Sequence, residues 1–174
     1  MKGSVWWLAH WLGVASVALL VACSDEDNTG ATDSGATPYE KLQALEGCGA
    51  PVPCGQMLTY AADESVGACI LGSLSTAELA QHRVMGSITG DERFLWDLFV
   101  ATDRSVQVVY RAIYNEPDAN WDDPDDYDYT LSNCALRPAT YFDDCLATSP
   151  IAAGCLDPNA WTEACSPLSE VHCP

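Results

Sequence analysis

The chain has 174 residues, 48% of them hydrophobic, which is long enough for one domain with a real core. Its 25 acidic and 7 basic side chains give a formal charge of −18. Such a charge repels nucleic acid and anionic lipid surfaces; it suits cationic partners, divalent metal ions or plain solubility in an exposed place.

The first predicted element is an export signal. Lys2 precedes a largely apolar run from Val5 to Ala22, a short positive region followed by a hydrophobic one. At 18 residues the run is borderline for a transmembrane helix, so its ending decides the reading. Leu20-Val21-Ala22-Cys23 resembles the lipobox of bacterial lipoproteins: an aliphatic residue, a tolerant position, a small residue, then cysteine. The resemblance implies that residues 1–22 are a cleaved signal peptide and that the Cys23 thiol takes a diacylglyceryl group. It implies further that the new amino terminus is acylated, with a fatty chain such as palmitate. Ser24 follows the cysteine. In enterobacterial lipoproteins an aspartate there favours inner-membrane retention, so the resemblance points to the outer membrane in a host that has one.

From Ser24 to Thr37 the chain carries no aromatic and no large aliphatic residue. It cannot bury enough surface to offset its ordering entropy. Residues 23–37 are therefore predicted to be a flexible acidic tether reaching roughly 20 Å. One acyl chain gives only reversible binding at about 0.8 kcal/mol per buried methylene, whereas several on one residue hold permanently.

Residues 38–174 are predicted to form one cysteine-rich domain. Thr37, Pro38 and Glu40 form a capping box for a short helix ended by Gly47. "CGAPVPCGQ" reads as a rigid turn region. "DESVGACILGSL" is predicted to be a helix with Val66, Cys69, Ile70 and Leu74 on one stripe, and Ser75 with Glu78 offers a second box where the helix restarts. The centre then changes period. "HRVMGSI", "RFLWDLFVAT" and "VQVVYRAIY" are predicted strands separated by "TGDE" and "TDRS". Phe94, Trp96, Leu98 and Val100 share one face, as do Val106, Val108 and Tyr110. A fourth strand, "YTLSNCALR", stops before Pro138. Two further helices are expected, "PATYFDDCLA" and "PNAWTEAC", the second capped by Asp157 with Pro158 at its first position. The fold class is α+β: a small antiparallel meander of about four strands, one face buried under short helices, stapled by disulfides.

Nine cysteines are present, and setting Cys23 aside leaves eight: Cys48, Cys54, Cys69, Cys134, Cys145, Cys155, Cys165 and Cys173. An even set in an exported chain can pair completely. Their spacings match no common zinc template, so structural bridges are expected. Connectivity is not fixed by sequence; the local pairs Cys134–Cys145 and Cys155–Cys165 are favoured.

Few residues carry a recognisable catalytic pattern. "GSITG" has isoleucine where a nucleophilic serine would sit. His82 is expected on a strand surface and His172 exposed near the chain end. Asp143 and Asp144 are sequential, so on a helix they diverge rather than act as a glycosidase pair. The unusual constellation is "NEPDANWDDPDDYDY", residues 115–129. Asp118, Asn120 and Asp122 match the odd positions of an EF-hand loop, but Asp123 and Tyr129 replace its glycine and terminal glutamate, and Pro124 is foreign to it. Three roles are left for the segment. It is a solvated loop guarding an edge strand; or an irregular calcium site using Asp118, Asn120, Asp122, Asp123, Asp125, Asp126 and Asp128; or a recognition loop in which Trp121, Tyr127 and Tyr129 meet a sugar or cationic side chain.

The tether, the paired cysteine blocks and the "FVATDRSV" hairpin resemble cysteine-rich lipoproteins of unknown function from myxobacterial-type bacteria. That resemblance brings no activity with it. The expectation is a non-catalytic binding or structural module on the cell envelope, held to the membrane by the lipid on Cys23, with a protein or carbohydrate ligand. It needs no cofactor unless the acidic loop takes calcium. Calcium-dependent adhesion and a small hydrolase using paired carboxylates are the competing expectations.

Overall fold

A computed structural model describes residues 35–59, 63–87, 92–113 and 123–174. The expected signal peptide, most of the expected tether including Cys23, and Asp118, Asn120, Trp121 and Asp122 lie outside the described residues.

The described chain is α+β, with a mixed sheet of six strands in sequential order rather than an antiparallel sheet of four. These are β1 (Gln56–Leu58), β2 (Ala80–Ser87), β3 (Arg93–Val100), β4 (Ser105–Ile113), β5 (Asp128–Leu136) and β6 (Thr162–Pro167). The helices are α1 (Pro38–Gly47), α2 (Glu64–Thr76) and α3 (Ala139–Leu146). The predicted meander is β2 to β5, antiparallel throughout. It gains a neighbour at each edge. β1 pairs with β2 in parallel, a geometry that needs a crossover, supplied by α2. The second new strand, β6, lies antiparallel on β5.

The local signal acts as read at the start of α1, where Thr37 and Glu40 make the reciprocal capping bonds. At the start of α2 the Asp63 carboxylate accepts from Ser65 N, a cap not read from the sequence. Hydrogen bonds from the Ser65 hydroxyl and amide hold the Asp63 carboxyl below its usual pKa. No restart occurs at Ser75: Ala77 adopts a left-handed φ of 50° that ends α2, and the chain enters β2. The buried stripe of α2 is Gly67, Ile70, Leu71 and Leu74, while Cys69 turns outward to bridge Cys54. "PNAWTEAC" is not a helix. Asp157 and Pro158 start a single 3-10 turn, Pro158–Ala160, and Thr162 then enters β6. The reason is tertiary. Trp161 is fully buried with its indole N–H donated to Cys155 O at 2.7 Å, and Cys165 is tied to Cys134 on β5.

Both faces of the sheet are covered, not one. α2, α3 and Trp161 pack on the face carrying Val84, Leu98, Val100 and Val106. On the opposite face Leu42 and Leu45 of α1 and Leu168 of the C-terminal segment cover Phe99 and Val109. That segment is pinned in several ways. Lys41 Nζ donates to the carbonyls of Leu168 and Ser169, Gln107 exchanges two hydrogen bonds with the His172 backbone, and Cys173 bridges Cys48. The eight domain cysteines form four disulfides, with two pairings other than those favoured from sequence. Cys134 pairs with Cys165 and Cys145 with Cys155, because β6 lies beside β5 and a short segment, 147–152, joins α3 to the turn at Ala153–Leu156.

A candidate binding cleft at Trp96

Two buried polar clusters stand out, and both are structural. His82 is completely buried, which corrects its expected surface position, and Ser73 of α2 lies 3.1 Å from its Nε2. Its Nδ1 has no hydrogen-bond partner. Burial lowers its pKa to about 4, so the imidazole is neutral at pH 7. A serine beside a histidine suggests nucleophilic chemistry, yet here nothing orients the far nitrogen and Ser73 is itself buried. The pair joins α2 to β2.

On the opposite face Asp97, also fully buried, receives Arg83 Nε and Arg111 Nη2, each at 2.5 Å. Arg83 reaches on to Glu46 at 2.8 Å. Arg83 and Asp97 are register partners on β2 and β3, so the pleat places both on one face. Breaking such a pair leaves an uncompensated charge, which fixes this packing against alternatives. A depression of about 310 Å³ opens beside it, lined by Glu46, Gln56, Gln81 and Arg83, but its cation is already engaged by two carboxylates.

The open surface of interest lies on the helix-bearing face. α2 and α3 cover the end of the sheet holding Val100, Val106 and Leu136. Toward the other end Trp96, Val108 and Tyr110 stay only partly buried. Trp96 on β3, Tyr110 on β4 and Thr130 on β5 are successive register partners and form one row across the strands. The rings of Trp96 and Tyr110 lie 4.9 Å apart at 48°, and Phe94 meets Trp96 edge-on at 4.6 Å and 71°. Gly86 makes this arrangement fit: a Cβ there would overlap the Phe94 ring and Thr59 Oγ1.

Two hollows flank Trp96. One, of about 410 Å³, runs over Tyr110, Thr130 and Ser132 to Asn159, Thr162 and the Cys134–Cys165 bridge. The other, of about 300 Å³, runs over Phe94 and Met57 to Leu156 and Pro158. The turn at Pro158–Ala160 borders both, through Pro158 on one side and Asn159 on the other. Among the described residues Asp157 is the single charged one lining either hollow, and its carboxylate accepts from the Asn159 backbone and side-chain amides at 3.0 Å. Sizes of this order suit small ligands or segments of a polymer.

The acidic segment is described only from Asp123. The Asp123 carboxylate accepts from Asp125 N and starts a 3-10 turn. Asp125, Asp126 and Asp128 are exposed. The Tyr127 ring lies 6.2 Å from that of Tyr129, and Arg111 sits over Tyr127 at 5.8 Å. Tyr129 donates its hydroxyl to Pro124 O, and burial pushes its phenol pKa up. Among the described residues no group of three or more His, Cys, Asp or Glu side chains could hold a metal ion. Asp143 and Asp144 are both exposed, and Asp143 accepts from Ser75 Oγ at 2.6 Å, joining α2 to α3. His172 is exposed, as expected.

The sequence places Trp96 on a face of one strand and Tyr110 on a face of the next, but their alternation reads as core. What separates a core face from a cleft is how far the helices extend over it, and no residue in the strands records that. No family model, no curated protein and no solved structure matches this chain.

Proposed function

We propose that this protein is a lipid-anchored module of the cell envelope that binds its ligand in the Trp96 cleft without transforming it. The cleft carries the reading. It offers a partly exposed aromatic row on a cross-braced sheet, bordered by hydroxyl and amide groups suited to recognition rather than to proton transfer. Anchoring is supported by the cysteine partition: four bridges use eight of the nine cysteines, and the ninth is Cys23 of the lipobox-like sequence. The tether after it would lift the domain off the bilayer. The acidic charge argues against nucleic acid as ligand.

The test is sedimentation of the full mature chain with insoluble envelope polymer from its host. Wild type is expected in the pellet and Trp96→Ala in the supernatant, with no new polymer ends released. Equal sedimentation of both proteins refutes the cleft as the binding site. Turnover abolished by one substitution refutes a purely binding role.

A further inference from the structure

We infer that the Trp96 cleft takes a neutral saccharide chain; this deepens the binding reading above and rests on it. Three features of the cleft select that chemistry. The first is the platform. Trp96 and Tyr110 present adjacent rings on one row of the sheet. A pyranose ring is polar at its rim and apolar over its C–H faces, so it can lay such a face on an indole while its rim stays hydrogen-bonded.

The second feature is the rim of the larger hollow. Thr130, Ser132 and Thr162 bring hydroxyls and Asn159 brings an amide. Each of these groups both donates and accepts. A partner that satisfies them must do the same along its length, as sugar hydroxyls do. A proline-rich peptide is the other polymer that aromatic grooves commonly take. Its backbone presents carbonyl acceptors, and its proline nitrogens donate nothing, so it would leave the acceptor half of this rim unmatched.

The third feature is charge. Among the described residues no charged side chain lines the larger hollow, and the one acid lining the smaller hollow is held by Asn159. The whole chain is at −18. A uronate, sulfated or phosphorylated glycan would find no cation among the described residues of the cleft and a repulsive field around it. Trp96 belongs to both hollows, so a chain of several rings can run past it and occupy both sides.

The test is a glycan array probed with the full mature chain, read beside tryptophan fluorescence titrations with the neutral oligosaccharides that bind. The expected result is binding to one or more neutral glycans, none to acidic ones, and at least a tenfold loss for Trp96→Ala. Because Trp96 also packs on the core, Thr130→Val is the companion variant. Thr130 is exposed, so the fold persists, and the expected loss is about fivefold, the effect of about 1 kcal/mol from one hydrogen bond. An array without a bound neutral glycan overturns the inference, as does preference for acidic glycans or unchanged binding by both variants. Decaproline that binds at Trp96 on a protein that ignores glycans also overturns it, while leaving the cleft as a binding site. Sedimentation with envelope polymer that fails for wild type refutes the broader reading instead.

Discussion

Acid should weaken this fold in a window set by His82. The side chain is fully buried and its pKa falls from 6.5 to about 4 because burial disfavours the charged form. In the unfolded chain it titrates at its ordinary value. Above pH 6.5 both states hold a neutral imidazole and the fold keeps its full stability. As pH falls from 6.5 toward 4, the unfolded chain takes up a proton that the folded one refuses, and stability drops by up to 1.36 kcal/mol per pH unit. Below about pH 4 both states are protonated and this contribution stops changing. Between pH 7.5 and 4.5 the loss should be roughly 2 to 3 kcal/mol. Only the part of that window above about pH 5.5 lies clear of ordinary carboxylate titration, so the comparison with a His82 variant separates the two effects below it. Urea unfolding at a series of pH values measures it, with His82→Gln as the control. Glutamine can still meet Ser73 but does not titrate, so the variant should be less stable at pH 7.5 and lose the slope between 6.5 and 4.5. An equal slope in both proteins, or an NMR titration placing His82 near 6.5, would refute the reasoning.

Two further outcomes follow from the packing. Removing Cys48–Cys173, which closes 125 residues, should cost about 5 kcal/mol in the chain-entropy picture, against about 3 for Cys145–Cys155, which closes 10. Serine pairs at each bridge, compared by denaturant unfolding, check the order, and the first pair should also admit protease to the C-terminal segment. Gly86→Ala should force the Phe94 ring off β2, costing about 1–3 kcal/mol. Its near-ultraviolet circular dichroism should change as Phe94 moves against Trp96; an unchanged spectrum with unchanged stability would contradict the packing described.

Much of the fold is legible where the signal is local. The capping box at Thr37 and Glu40 and the alternation through β3 and β4 act as their residues suggest. The hairpin turn is equally local: the Asp103 carboxylate takes the amide and hydroxyl of Ser105. What fails is what only tertiary context decides. Thr162–Pro167 has no strand pattern of its own and is a strand because it pairs with β5 and is bridged to it. The disulfide partners depend on that same pairing. His82 sits in an alternating strand whose face a helix covers, so its burial was not written in its neighbours. Three-residue β1 is too short to carry a period at all. The cleft was hidden for the converse reason: Trp96 and Tyr110 look like core until the reach of α2 and α3 is known.

The proposed lipid anchoring is tested most directly by the intact mass of the protein extracted from membranes. The expected mass is that of a chain beginning at Cys23 that carries a diacylglyceryl group and an N-linked acyl chain, with the other eight cysteines oxidised as four bridges. A mass that retains Met1, or a Cys23 found as a free thiol or bridged to another cysteine, would contradict it.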